Sequence, residues 1–278
     1  MTNPNDMSAW AAITCQRGHT GHESQLVTID LAEPHGYTDC TPIPPALVPA
    51  PFVMHIWPPE QYPVDGGPYC PAHDAVSETI VSHRVWEPRE SVLTLGVCKA
   101  GGLVVDVGAQ LGWYSLLALA SGCQVHAVEA DQANLTLLEA SAADNGWADD
   151  LTAELVRIDA ATPAMEPTRI RLAKVDLEGA DAEAVRVLWP SIASGFVDHM
   201  MIECSPVFVP GEHYPELVAS IVAEGYRAYL LPAKQSPPIT ITAPERDLVR
   251  IDDDPELRAR VAGWHQEDVW FRREGASW

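Results

Sequence analysis

The chain has 278 residues, enough for one large α/β domain with an extension. With 39 acidic against 17 basic residues it carries a net charge of −22, so nucleic acid and anionic bilayers are repelled over most of its surface. No apolar run approaches a membrane span, and the opening Met1-Thr-Asn-Pro-Asn-Asp6 lacks the basic and apolar regions of a secretory signal, so no membrane insertion and a cytoplasmic location are expected.

Residues 1–80 read as a separate arm or lid, and residues 81–278 as the main domain. Pro42 to Pro71 is crowded with proline and aromatics, which argues against regular structure there, because proline removes a donor and fixes φ. Such a segment either packs on the core as an extended arm or covers a site through Trp57, Tyr62 or Tyr69. An exposed arm of this kind is also compatible with exchange between subunits of a homo-oligomer. The six cysteines show no tight paired spacing, and Cys123 and Cys204 fit as small core residues. Cys15, His19 and His22 invite a zinc reading, for which Cys40 is a poor fourth ligand.

From about residue 81 the chain alternates. A lead-in loop and helix fill 82–99. Strand 103–107, helix 113–121, strand 124–129, helix 131–145 and strand 153–159 follow. Then come strand 170–176, helix 181–189, strand 197–204, helix 213–224 and strand 226–231. A proline-rich loop at 232–247 and a short helix near 255–263 lead to a last strand at 268–272. The pattern predicts a Rossmann-like, doubly wound α/β fold with a mainly parallel seven-stranded sheet covered on both faces.

The most informative stretch is Leu103 to Gly112, an apolar strand that ends in Asp106 and a glycine loop. The next strand, Val125-His-Ala-Val128, ends at Glu129. Strand, glycine turn, helix, strand and acid make a nucleoside-cofactor half-site. The glycines would bring backbone N–H groups close to the ligand, and Glu129 would accept both ribose hydroxyls. Two cofactors compete. NAD wants G-x-G-x-x-G, whereas the spacing here is Gly108-x-x-x-Gly112 with Gln110 at the middle glycine position. Asp106 would repel a pyrophosphate but would pair with the ammonium of S-adenosyl-L-methionine, so charge favours the sulfonium cofactor. Asp159 and Ala160 follow the third strand, where Asp159 could take the adenine amino group or serve as a solvated turn acid. Trp113 and Tyr114 open the first helix, one lining the pocket and the other packing.

Asp106-Val-Gly-Ala-Gln-Leu-Gly-Trp-Tyr-Ser115 resembles the D-V-G-A-N-x-G-x-Y-S loop of FkbM-type methyltransferases. Val128 to Asn134 is similar to that family's E-P-x-x-x-N segment, Lys174 to Asp181 to its K-I-D-x-E-G-x-E block, Met201-Ile-Glu203 to its later I-E strand end, and Glu87-Pro88 to a short E-P element. The resemblance spans about residues 84–205, and the Lys174–Gly179 block carries most of its specificity. Gln110, Ala130 and Ser205 depart from the usual Asn, Pro and His. The resemblance implies a class I methyltransferase fold whose last strand enters antiparallel. It also implies that Glu87 closes over the methionine end, and that the activity is S-adenosyl-L-methionine-dependent O-methylation of a hydroxyl on a small molecule, sugar, glycolipid or secondary metabolite.

Methyl transfer to a hydroxyl needs a positioned acceptor and a destination for its proton. Asp176 and Glu178 stand two apart at a strand end, which suits a general base, a divalent cation site for Mg, or a helix cap with Asp176 holding the turn. Lys174 fits an ion pair with one of them. Glu203 ends the following strand on the same rim and needs a partner there. His83, His199 and His213 are secondary base candidates. A non-catalytic nucleoside-binding or interaction protein on the same scaffold is the alternative.

Overall fold

A computed structural model describes residues 24–33, 43–57, 75–205, 214–231, 248–252 and 267–278. In chain order the elements are β1 (Gln25–Ile29), β2 (Phe52–Ile56), α1 (Ala75–His83), α2 (Pro88–Cys98), β3 (Leu103–Val107), α3 (Trp113–Ala120), β4 (Gln124–Glu129) and α4 (Gln132–Asp144). After these come β5 (Leu151–Leu155), β6 (Ile170–Val175), α5 (Asp181–Ala193), β7 (Val197–Cys204), α6 (Tyr214–Ala223), β8 (Tyr226–Leu230), β9 (Val249–Arg250) and β10 (Glu267–Arg273).

The large sheet runs β5-β4-β3-β6-β7-β10-β8-β9. β3 pairs in parallel with β4 and β6, and β10 is antiparallel to both β7 and β8, as the resemblance implied. The sheet has eight strands among the described residues, not seven. The added strand is the two-residue β9, too short to leave a hydrophobic period in the sequence. Connections leave β3 toward β4 on one side while β6 lies on the other, which makes the β3/β6 boundary the switch point where ligands bind beyond strand ends.

Two apolar clusters fill the two faces. Val104, Val125, Leu172, Met201 and Trp270 pack with side chains of α2, α3 and α4, whereas Val105, Ala173, Met200, Ile202 and Phe271 pack with those of α5 and α6. β6 is buried along its whole length, as a central parallel strand must be. Among the described residues no helix is long and apolar enough to cross a membrane.

The proline-rich stretch holds a strand where none was expected. Phe52–Ile56 contains no proline, alternates in burial and pairs antiparallel with β1. Its other edge is satisfied by α4: Val53 N donates to Asn145 Oδ1 (2.9 Å), Asn145 Nδ2 donates to Val53 O (2.6 Å) and His55 N donates to Ser141 Oγ (2.8 Å). Trp57 donates its indole N–H to Asn134 Oδ1 at 3.0 Å, so it is anchored at the start of α4. Tyr62, Tyr69, Cys15, His19, His22, Cys40, His213 and the expected helix near 255–263 lie outside the described residues.

Candidate active site

The loop after β3 turns on three residues of positive φ: Gly108 (84°), Gln110 (50°) and Gly112 (87°). A Cβ on Gly108 would stand 1.9 Å from the Asp176 carbonyl oxygen, and one on Gly112 would stand 2.2 Å from Leu138 Cδ1. Both glycines therefore serve close packing as well as the turn. The loop's N–H groups are directed into the protein. Gly108 N and Ala109 N donate to Val128 O, Gly112 N donates to Ala109 O, and Gln110 N donates to Glu129 Oε2 at 2.7 Å. This corrects the expectation that the glycines offer those N–H groups to a ligand. It also removes the donor nest that a dinucleotide pyrophosphate requires.

Glu129 ends β4 with its carboxylate turned to the loop. Oε2 takes Gln110 N and Oε1 takes Asp131 N (2.8 Å), which leaves each oxygen a further lone pair. Burial raises its pKa, against the pull of those N–H donors. Ala130 follows, exposed, before Asp131 caps α4 by accepting from Ala133 N and Asn134 N. Asp106 is 1% exposed. Ser115 Oγ donates to its Oδ2 at 2.7 Å, while Oδ1 is a buried acceptor with no hydrogen-bond donor among the described residues. Burial pushes the Asp106 pKa up and nearby Lys174 pulls it down. This orphaned acceptor is the observation that fits an ammonium ligand, and Glu129 at the end of the neighbouring strand fits a diol.

Lys174 sits at the centre. It is 3% exposed, lies beside Asp106 in register, donates to Asp176 Oδ2 at 2.5 Å, and holds its ammonium 4.8 Å from the Tyr114 ring centroid. Burial alone would lower its pKa, but Asp176, Glu87 and Asp106 together raise it. Tyr114 donates its hydroxyl to Glu87, which stands before α2 at φ 40° and makes no cap bond to that helix. Trp113 is the packing member of the aromatic pair, its indole donating to Ser91 Oγ at 2.9 Å. Against the effect of burial, Lys174 and then Glu203 lower the Asp176 pKa, and Glu203 Oε2 accepts from Ser205 Oγ at 2.9 Å. Asp268 faces Glu203 across the β7/β10 pairing.

The structure thus brings Glu87, Asp106, Tyr114, Lys174, Asp176 and Glu203 to one rim, and adds Glu90 and Asp268. Burial, then Glu87, pushes Glu90 up to about 7. Burial, then Glu90 and Glu87, pushes Asp268 well above the usual carboxylate range. Sequence reasoning passed over both, although each left a signal. Glu90 is one helical turn beyond Glu87, and an acid opening an antiparallel last strand must fall on the rim where the parallel strands end.

Other expectations are corrected. β6 stops at Val175, and Glu178 is exposed at φ 49°, so Asp176 and Glu178 do not share a strand face. Neither of them caps α5 or holds the turn. Asp181, the first residue of α5, holds the turn by accepting Leu177 N at 2.8 Å and Gly179 N at 3.2 Å. Lys174 already supplies the cation beside Asp176, and among the described residues no group of three or more His, Cys, Asp or Glu is placed to hold a metal ion. The residues do not fit the Mg site that the Asp176–Glu178 spacing suggested. β5 ends at Leu155, so Asp159 is not at a strand end. Asp159 and Ala160 are exposed, and Asp159 Oδ1 accepts from Ala161 N and Thr162 N of its own turn. His199 lies toward the opposite end of β7, its Nε2 bonded to Ser277 O and its Nδ1 accepting from the Trp270 indole, and burial pushes it down to about 4. His83 closes α1. Cys123 and Cys204 are buried free thiols.

No known protein-family profile matches the chain, and no curated protein matches it. Among solved structures it is similar to a SAM-dependent methyltransferase of Geobacter sulfurreducens in complex with S-adenosyl-L-homocysteine (17% identity, 69% of this chain and 94% of that one, TM-score 0.39). It is also similar to a SAM-dependent O-methyltransferase of Thermotoga maritima (13%, 68% and 66%, 0.40) and to a protein described as a candidate RNA methyltransferase of Pyrococcus horikoshii (14%, 69% and 86%, 0.39).

Proposed function

We propose that the protein is a methyltransferase of the FkbM type that uses S-adenosyl-L-methionine to methylate a hydroxyl of a small molecule, sugar, glycolipid or secondary metabolite. The observation that carries this reading is the buried acceptor Asp106 Oδ1, which lacks a donor at the switch point of the sheet, beside a glutamate held toward the same loop. The cofactor supplies an already activated methyl group. In this reading Asp106 binds the ammonium, directly or through water, and Glu129 binds the ribose hydroxyls with its remaining lone pairs. Gly108 and Gly112 hold the loop, Glu87 and Tyr114 close over the methionine end, and Ala130, Asp159 and Ala160 bound the adenine side. Only Oδ1 of Asp159 enters its turn, which leaves Oδ2 for an amino group.

Asp176, Glu203 and Glu178 are the proposed catalytic acids. When the acceptor oxygen takes the methyl group, its O–H bond breaks and the proton passes to the Asp176–Glu203 pair. Lys174 keeps Asp176 ionised and therefore able to receive it. The crowd of acids opposes an anionic acceptor, which favours a neutral hydroxyl over nucleic acid. Residues 81–278 are proposed as the catalytic domain, and residues 1–80 as the arm that borders the acceptor side.

Titration calorimetry with S-adenosyl-L-homocysteine tests this. The wild type should bind, and Asp106→Ala and Glu129→Ala should each weaken binding by about tenfold or more, the scale of a lost charge-assisted contact. A wild type that binds neither this product nor the cofactor would overturn the reading. Binding with no turnover across a broad hydroxyl screen would point to the non-catalytic alternative.

A further inference from the structure

Away from the rim, three side chains where the arm meets α4 form a hydrogen-bonded line. Ser24 Oγ stands 2.6 Å from His55 Nδ1, and His55 Nε2 stands 2.9 Å from Asp144 Oδ2. Ser24 precedes β1, His55 lies on β2 and Asp144 closes α4, so strand pairing and helix packing bring together residues far apart in the chain. α4 rises about 18 Å from Gln132 to Asp144. Its start adjoins Glu129 through Asp131, so the line is remote from the proposed cofactor site.

The order of the bonds fixes the proton. An ionised carboxylate only accepts, so His55 Nε2 carries the N–H that Asp144 takes. Nδ1 of the neutral ring is then a lone pair, and the network assigns the Ser24 O–H as its donor. The imidazole is also held in place. His55 N donates to Ser141 Oγ (2.8 Å), one helical turn before Asp144, and Val53 on the same strand is bonded at both N and O to Asn145. β2 is thus fixed to the helix end by bonds of its own backbone. The His55–Asp144 contact adds little to that anchoring, because the Asp144 side chain is 52% exposed and an ion pair in solvent is weak.

We propose that Ser24 is an activated nucleophile that takes an acyl group from an activated ester. His55 is its general base, and Asp144 is the positioning residue that orients the imidazole. This does not rest on the methyltransferase reading. The Ser24 oxygen bonds to the ester carbonyl carbon while its proton passes to His55 Nδ1. The bond from that carbon to the leaving oxygen breaks, and the leaving oxygen receives the proton. Water then attacks acyl-Ser24 with the same base, which releases the acid and restores the serine. Ser24 is half-buried, so its oxygen is open to a small ester. Leu26 shares the outward face of β1 with Ser24, pairs with His55 in register and is 51% exposed, which favours an apolar acyl group. Without a set of donors on the oxyanion, a base-assisted serine acylates slowly, so acylation of Ser24 rather than rapid turnover is the readout.

Incubation of the full chain with p-nitrophenyl butyrate, in the absence of S-adenosyl-L-methionine, tests this. Peptide mass spectrometry of the wild type should find butyryl on Ser24. His55→Gln should slow that acylation by about a hundredfold or more, the scale of a lost general base. Asp144→Asn should slow it by about tenfold or more, and Asp144→Glu should recover most of the loss, which an aspartate of merely structural role would not show. The proposal falls if Ser24 of the wild type stays unmodified, or if it is acylated equally fast in folded His55→Gln or in Asp144→Asn. Because Asp144 is exposed, its variants keep the test decisive even if His55→Gln fails to fold. Binding of S-adenosyl-L-homocysteine, measured separately, decides the methyltransferase reading and leaves this one untouched.

Discussion

The two ends of the large sheet bury charge in opposite ways. At one end Arg171 donates to Val97 O, Asp198 Oδ2 and Ser277 O, while Arg273 takes the other oxygen of Asp198. His199 is neutral there, between Trp270 and the Ser277 carbonyl. At the other end one lysine serves Glu87, Asp106 and Asp176, and Glu90 and Asp268 crowd in, with Arg89 and Lys174 drawing on Glu90 and Lys174 on Asp268 against their burial. Desolvation penalises charge at both ends. At the first it is offset inside the fold. At the second an excess of negative charge remains, and a cation from outside, or protons, must offset it. Such an imbalance in a strand-end crevice is the pattern that makes this end the candidate site.

Three measurements break or sharpen this contrast. Arg171→Met should have the largest effect, because it leaves Asp198 with one guanidinium partner and takes a donor from the carbonyls of Val97 and Ser277. A loss of about 3–5 kcal/mol in urea unfolding is expected, with binding of S-adenosyl-L-homocysteine unchanged. A loss below about 1 kcal/mol would show that the closed end is not held by its charges.

The pH dependence should come next. His199 has a folded pKa of about 4, below the 6.5 of an exposed imidazole. The unfolded chain therefore binds the proton first. Stability from this group is complete above pH 6.5 and falls by up to roughly 3 kcal/mol as pH drops toward 4. The acids of the other end act with the opposite sign. Asp181 at about 6 and Glu90 at about 7 sit above their ordinary values, so their contribution is present below about pH 4 and is lost as pH rises through 6 to 7. His199→Gln should remove the acid-side loss and leave the gain. Unfolding curves at pH 7 and pH 5 that move alike in both proteins would refute the assignment.

The smallest effect should be that of Asp106→Asn on stability. The carboxylate is buried with one oxygen unpaired, so its neutral isostere should cost nothing and could add up to about 1 kcal/mol, seen in the denaturation midpoint. A clear loss of stability would mean that Asp106 belongs with the closed end.

Much of the frame was legible in the residues. The strands at 103–107, 124–129 and 197–204 agree with the observed bounds, because buried parallel strands leave unbroken apolar runs between glycine turns. The expected strand at 153–159 failed at its end. β5 is an edge strand with little burial, so alternation past Leu155 had no core to answer to. β2 was hidden by the prolines around it, since its hydrogen bonds come from β1 and from the side chains of Ser141 in α4 and Asn145 just after it, far along the chain.

The sequence by itself determined which acids stand at strand ends and where the chain must turn, because side-chain period and glycine's freedom at positive φ are local properties. Which of those acids is paired was decided only in the tertiary structure. Lys174 meets Asp106 and Asp176, Asp268 meets Glu203, and Asp181 rather than Glu178 secures the turn. Pairing follows from strand register and helix packing across the sheet, and no spacing along the chain encodes it.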